Sequence, residues 1–348
     1  MSVNANELKA FCVALPKIEL HAHINGSISH ETISKLRERK RESKPHLADY
    51  KIPENNLNDI ADFFPLFKLI YQLTDDIEAI KLITKDVIDE FANDGVKYLE
   101  LRSTPRKYED TDIQTKNDYV RAVLSVINQP RDHIIVKLIL SVDRRNTLDE
   151  AMEAVDLAVK YQNEGVVAVD LCGDVHAGSF DTLQPAFLKA QQHGLKVTLH
   201  FCEVPENLPE APSLLAIGPN RLGHATLLDE ACRKHIYDNK IPIEICMTSN
   251  VLSKTVPTYE EHHMKELLAN GQPFCICTDD KGVFRAELSD EYAQAATAFS
   301  LTNTQLYEAS FQSIDAIFAD DSTKDLLRTQ WQKWCDSNSK YFQAYEQL

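Results

Sequence analysis

The stretch LDEAMEAVDLAVKYQNEGVVAVDLCGD, residues 148–174, carries two structural signals in succession. Its first part is amphipathic and stops at Gly165, as a helix closed by a glycine does. Its second part, VVAVDLCGD, is short, rich in β-branched residues and nearly apolar, which reads as a strand covered on both faces. The pairing recurs outward in both directions. LQPAFLKAQQHG (183–194) is another helix ending at a glycine, Gly194, and LKVTLHFCE (195–203) follows it. Upstream lie KIELHAH (17–23), VKYLELRST (96–104) and IIVKLILSVD (134–143). Downstream lie NRLGHAT (220–226), IPIEICMTS (241–249) and PFCICTDD (273–280), which makes eight candidate strands. Strands of this kind, alternating with helices, predict an α/β fold: a (β/α)8 TIM barrel. A long insertion after the first strand, about residues 28–90, reads as mostly helical. The chain after residue 285 is also helical and is expected to pack on the barrel's outside. No linker or low-complexity segment divides it, so residues 1–348 are expected to form one domain.

Composition narrows the function. Hydrophobic residues at 43% and charged residues at 26% are ordinary globular values. A formal charge of −16 argues against nucleic acid as a partner, while leaving room for a local basic pocket for a small anion. No run reaches the roughly 18 apolar residues of a membrane span. The N-terminus, MSVNANELKAFCVALPKIEL, shows no basic region followed by a long apolar core, so a cytoplasmic protein is expected. Of the eight cysteines, Cys172, Cys202, Cys246, Cys275 and Cys277 sit in apolar runs, and Cys275-Ile-Cys277 has no second pair at zinc-finger spacing. They read as buried thiols. The expected partner is a small molecule, the expected state a monomer.

Active sites of such barrels lie at the C-terminal ends of the strands. His21 and His23 end strand one on a single face, since a strand's period is two, and two neutral imidazoles there suit a metal such as zinc. Arg102, Ser103 and Thr104 end strand two, Asp143 strand three, Gly173 and Asp174 strand four. His200 and Glu203 end strand five, His224 strand six, Thr248, Ser249 and Asn250 strand seven, and Asp279 with Asp280 strand eight. So many polar residues on one face point to a metal-dependent hydrolase. His262 and His263, in the helical, charge-rich run YEEHHMKELL, lie away from any strand end and read as solvated or packing residues. Asn25-Gly26-Ser27 fits a glycosylation sequon but falls within the candidate site, and is discounted.

The motifs HAHINGS, HFCE, GHAT, TSN and CTDDKGVF, in this order, resemble the adenosine deaminase family over about residues 15–320. YLELRSTPR (98–106) and SVDRR (141–145) bring the chain nearer to the family's adenosine deaminase-like branch, whose members deaminate N6-methyl-AMP. The resemblance implies one Zn²⁺ per chain, held by His21, His23, His200 and Asp279. It implies that His224 and Asp280 hold and deprotonate a water beside carbon 6 of the purine, and that Glu203 protonates ring nitrogen 1. The reaction expected is hydrolytic release of an alkylamine from N6-methyl-AMP or a related N6-substituted AMP, giving IMP. Alternatives are an adenosine or adenine deaminase of the same fold, or a non-catalytic nucleotide-binding relative.

Adenosine deaminases proper usually carry Asp where this chain has Asn25. A carboxylate would repel a 5′-phosphate, whereas an amide can donate to it. Ser103, Thr104, Pro105 and Arg106 are then expected near the phosphate, with Asp143 near the ribose or holding a neighbouring donor. Gly173 is expected to let the base approach the backbone, or else to be a turn glycine; His23 and Asp280 are expected to touch the substrate as well. Tyr71, in IYQLT, replaces a histidine common in this branch; a phenol can stack or donate but cannot become cationic near neutral pH.

Overall fold

The computed structural model describes residues 5–47 and 64–342, with side chains in the second stretch from residue 67. Eight parallel strands form one sheet in sequential order: β1 (Lys17–His23), β2 (Val96–Ser103), β3 (Ile135–Asp143), β4 (Val166–Cys172), β5 (Lys196–Phe201), β6 (Arg221–His224), β7 (Ile243–Ile245) and β8 (Phe274–Ile276). Closure comes just beyond β8, where Ala22 bridges Asp279, the Asp279 amide donates to the His21 carbonyl (2.8 Å) and the His23 amide to that of Asp279 (3.0 Å). The fold is the expected (β/α)8 barrel. The helix after β3, Leu148–Tyr161, begins with a reciprocal cap between Thr147 and Glu150, and Gly165 turns the chain into β4 with φ of +113°.

The strands are less apolar than their sequences imply. One face of each is apolar and packs on helices: Ile18, Leu20, Leu99, Leu101, Val169, Leu199, Leu222 and Ile243 are all fully buried. The other face carries Glu19, Glu100, Arg102, Asp170, Thr198, Arg221 and Glu244, equally buried. Arg102 on β2 reaches Glu244 on β7 (2.8 Å) and Asp170 on β4 (3.3 Å), and Arg221 on β6 reaches Glu100 on β2 (2.5 Å). Strands so far apart in the sheet can meet only across the barrel's interior, so the inward face holds an ionic network where such barrels usually pack aliphatic layers.

The candidate strand at 241–249 is cut short. β7 spans only Ile243–Ile245, and Met247–Leu252 is helical, so Thr248, Ser249 and Asn250 project from a helix that crosses the barrel mouth. Within the insertion, His30–Arg39, Phe64–Leu73 and Ile77–Asn93 are helices, as expected; residues 48–63 lie outside those described. Helices Asn303–Ala316 and Asp321–Ser337 pack outside the barrel, and the segment between them reaches its interior: Arg221 donates to the Ala316 carbonyl (2.8 Å), and the Phe318 amide donates to Glu100 (2.7 Å). No described helix is long and apolar enough to cross a membrane.

Candidate active site

Three imidazoles and a carboxylate converge where β1, β5 and β8 end. The Nε2 atoms of His21 and His200 are 3.1 Å apart and those of His23 and His200 3.2 Å; Asp279 Oδ1 lies 3.5 Å from His21 Nε2 and 3.4 Å from His23 Nε2. Buried partners orient these groups. His21 Nδ1 lies 2.6 Å from Glu244, His200 Nδ1 lies 3.1 Å from Asp170, and the Ser249 hydroxyl donates to Asp279 Oδ2 (2.7 Å). A carboxylate only accepts, so both Nδ1 atoms carry hydrogen. In neutral rings the two Nε2 lone pairs then point at each other, a repulsion that a shared cation relieves. Three nitrogens and one oxygen, their rings held by carboxylates, fit a zinc site. Burial and the Arg102 charge push His21 down, but hydrogen bonds to Asp279 and Glu244 outweigh them and leave it raised to about 9, whereas burial lowers His23 to about 3.

Backbone shape supports the cluster. Asp279 and His224 adopt left-handed φ of +63° and +59°, unusual for non-glycine residues and characteristic of functional sites. Gly223 leaves room for the His21 ring, since a Cβ there would sit 2.8 Å from His21 Cε1. At Gly26 a Cβ would lie 1.6 Å from Asp280 Oδ1, so only glycine allows that carboxylate its place.

Around the cluster stand further titratable groups. His224 Nε2 is 3.6 Å from Glu203 Oε2 and 3.9 Å from Asp279 Oδ2. Burial holds the Glu203 carboxyl above the ordinary range, and burial with the neighbouring Asp279 charge does the same for Asp280, whose buried Oδ1 has no hydrogen-bond partner. His21, His200, His224 and Asp279 also offer atoms within 4.8 Å of one another, so with His23 five groups crowd one point.

One cavity connects this cluster to a second group of residues: Asn25, Tyr71, Ser103, Thr104, Arg106, Asp143 and Gly173, together with Lys68 and Arg145. The Arg106 guanidinium lies 3.9 Å over the Tyr71 ring with Tyr108 beside it, and its buried Nε and Nη2 have no hydrogen-bond partner among the described residues. Asn25 donates to Ser103 (3.4 Å) and Tyr119 (3.5 Å), leaving its buried Oδ1 without a partner. Asp143 grips Arg145 through both oxygens, at 2.8 and 2.5 Å. Gly173, at φ of +104°, makes room for that carboxylate: a Cβ would come within 2.7 Å of it.

The sequence pattern of the adenosine deaminase family matches residues 16–334. The N6-methyl-AMP deaminase of Homo sapiens is 43% identical over 333 residues, covering 92% of this chain and 94% of its own. The chain belongs to the adenosine deaminase family. Among solved structures, the Arabidopsis N6-mAMP deaminase superposes with a TM-score of 0.88 at 35% identity, covering 93% of this chain and 99% of its own. Arabidopsis ADAL complexed with IMP gives the same TM-score and identity, covering 94% and 98%.

For this deaminase-family chain, the residues singled out from sequence as site candidates gather at one cavity or the cluster it opens on, with four exceptions. Thr248 meets Tyr259 (3.3 Å) and Asn250 meets His262 (3.1 Å), both outside the cavity's lining. Pro105 is buried but does not line the cavity, and Asp174 serves a turn by accepting from the His176 amide (3.0 Å). Arg102 faces both ways: it borders the cavity, while its ion pairs go to the carboxylates that orient His21 and His200. Sequence reasoning missed Glu244, Asp170 and Arg145; of the two readings it offered for His262 and His263, packing is the one that holds. These two are packed rather than solvated, with His262 fully buried, and they contact Asn250 and His224. The alternation of Glu100 with Arg102, and of Glu19 with His21 and His23, was the signal for a polar inner face. Seven of the eight cysteines are buried and all eight are free, as their apolar settings imply.

Proposed function

We propose that the protein hydrolyses N6-methyl-AMP, or a related N6-substituted AMP, to IMP and the alkylamine. The observation that carries this reading is a single cavity with two unlike ends: a convergent His-His-His-Asp cluster at one, and at the other a buried guanidinium with unused donors. Asn25 in place of a carboxylate favours a phosphate there, and the named relatives point to the same substrate class.

His21, His23, His200 and Asp279 would hold the zinc, one ion per chain. Bound there, it supplies the Lewis-acid charge that brings ionisation of a water into the neutral range. The remaining chemistry belongs to side chains. Asp280 is held above the ordinary range by burial and by the Asp279 charge; with that charge engaged by the ion it would be free to take one proton from the water as the water's oxygen adds to carbon 6. Glu203, whose protonated form burial favours, gives its proton to ring nitrogen 1 and so relieves the charge that addition places on the ring. His224 holds the water against both. Asp280 then passes its proton to the exocyclic nitrogen, the carbon–nitrogen bond breaks, and the hydroxyl proton left on carbon 6 restores the Glu203 acid. At the far end Arg106, Asn25, Ser103 and Thr104 bind the phosphate, and Lys68 adds positive charge to the cavity, while the charge of Arg145 is met by Asp143. Free thiols suit a reducing, cytoplasmic setting, and each chain carries a complete set of these groups, so a monomer suffices.

The test is a panel of N6-methyl-AMP, AMP, adenosine and N6-methyladenosine, with methylamine, ammonia and IMP or inosine measured. The reading requires N6-methyl-AMP to give the highest kcat/KM, with methylamine and IMP in equal amounts. A preference for either nucleoside would overturn it.

A further inference from the structure

The hydrogen bonds behind His224 have directions that follow from one fixed donor. The Met264 amide, which can only donate, points at His262 Nδ1 (3.1 Å). His262 Nδ1 must therefore present a lone pair, and in a neutral ring the hydrogen is on Nε2. That nitrogen lies 3.1 Å from Asn250 Oδ1, which accepts it. The amide orientation of Asn250 is thereby set, and its Nδ2 faces the Thr255 hydroxyl (3.1 Å) and His224 Nδ1 (3.4 Å). Thr255 Oγ1 sends its own hydrogen to the Asn250 carbonyl (3.2 Å), so it can accept from the amide. His224 Nδ1 also faces a donor, and the hydrogen of its neutral ring belongs on Nε2.

We propose that His262 and Asn250 are positioning residues that fix His224 as the Nε2–H tautomer, so that it serves as a hydrogen-bond donor to the reacting oxygen and not as a metal ligand or a base. Nε2 is the nitrogen that faces Glu203 and Asp279. A nitrogen that already carries hydrogen has no lone pair for a metal, which resolves the crowding of five groups around one point. It also divides the labour between the two residues beside the water: His224 donates and Asp280 accepts. His263 secures the same residue from the other side, its Nε2 donating to the His224 carbonyl (2.7 Å) and so holding the left-handed backbone there. Both histidines of the pair are neutral in this arrangement, and burial lowers His263 to about 4.

This inference rests on the proposed function for what the donor does, but its test is independent of turnover. Protein isolated with its metal and labelled with ¹⁵N-histidine is observed by long-range ¹H–¹⁵N correlation, with His224→Gln used only to assign the ring. The expected spectrum shows a bare, pyridine-like Nδ1 and a protonated, pyrrole-like Nε2 for His224. A protonated Nδ1 in the unaltered protein overturns the proposal without any variant. Asn250→Asp keeps the shape but replaces the donor facing Nδ1 with an acceptor, so Nδ1 should become protonated while zinc content stays at one per chain. A bare Nδ1 in that variant would overturn the relay. His262→Phe, which frees the Asn250 amide to turn, should give His224 as a mixture of tautomers, and a single unchanged tautomer would again count against it. On N6-methyl-AMP, Asn250→Asp should lower kcat by about 10²-fold, the typical effect of losing one donor to a developing charge, with KM nearly unchanged. If the panel finds no deaminase activity while His224 is still Nε2–H, the proposed function fails and the relay stands.

Discussion

The two ends of the cavity are built in opposite ways. At the cluster end, the Nδ1 of His21 and that of His200, and the outer oxygen of Asp279, are committed to fixed partners, Glu244, Asp170 and Ser249. At the Arg106 end, Nε and Nη2 of Arg106 and Oδ1 of Asn25 are buried without a partner among the described residues, whereas at the cluster end the atom so left is Asp280 Oδ1, on the residue proposed as the base. A buried donor without a partner costs on the order of 1–3 kcal/mol, so native proteins keep few of them. One end spends its hydrogen bonds on geometry, because the chemistry there fails if a ligand turns. The other end keeps the Arg106 donors for something that arrives with oxygens of its own, whereas Asn25 Oδ1 can only accept, from a group such as a hydroxyl.

The strongest way to sharpen this contrast is to remove a proton without disturbing shape. Glu203→Gln should retain its zinc and its affinity for IMP, while kcat falls by about 10²- to 10⁴-fold, the range for a lost general acid. A variant as fast as the parent would assign the ring proton to another group. A weaker blow to the same end is Asp170→Asn. It leaves His200 in place but weakens its anchor, so the zinc dissociation constant, read by competition with a chelator, should rise about 10- to 100-fold. Binding of IMP to the metal-free protein should hardly change. If the two affinities fell together, the ends would not be independent.

How much of this was legible beforehand follows the same division. His21, His23, His200, His224, Asp279 and Asp280 stand at strand ends, and their positions could be read because hydrophobic runs mark strands and barrels place chemistry where strands stop. Their partners could not be read. Glu244 is a single charge inside Ile-Glu-Ile, and nothing local says that its mates are His21 and the arginines of two other strands. Helix Met247–Leu252 was mistaken for the end of a strand because its leading residues continue an apolar run, although the ladder with β8 stops at Ile245. His262 and His263 belong to a loop that folds back onto β6, a contact no spacing rule contains. The sequence placed these groups together at the strand ends; what holds each of them is a property of the closed barrel.

At the open end, Arg106→Ala tests whether the spare donors serve the phosphate. A charge-assisted hydrogen bond is worth roughly 1.5–3 kcal/mol, so KM for N6-methyl-AMP should rise about tenfold to more than a hundredfold. Turnover of N6-methyladenosine, however slow, should be nearly unaffected. Asn25→Asp should penalise the nucleotide in the same selective way, by setting a carboxylate against the phosphate. Equal losses on both substrates would return these residues to the fold or the base.

The smallest expected effect is at Tyr71, which stands where the branch often has histidine. Its ring lies flat beneath the Arg106 guanidinium at 3.9 Å, so it supports the arginine through its face. Such a contact is worth about 0.5–2 kcal/mol, depending on how dry it is. Tyr71→Leu should then raise KM for the nucleotide by roughly two- to thirtyfold through a less well-held Arg106. Tyr71→Phe keeps the aromatic face and loses only the hydroxyl, and should stay within about twofold of the parent. A cationic histidine here would repel the guanidinium, so Tyr71→His should weaken nucleotide binding more at pH 5.5 than at pH 8, where the ring is neutral. If Tyr71→Phe proved as damaging as Tyr71→Leu, the hydroxyl itself would be a phosphate donor. The open end would then hold one more group kept for the ligand, and the stacking account of Tyr71 would have to go.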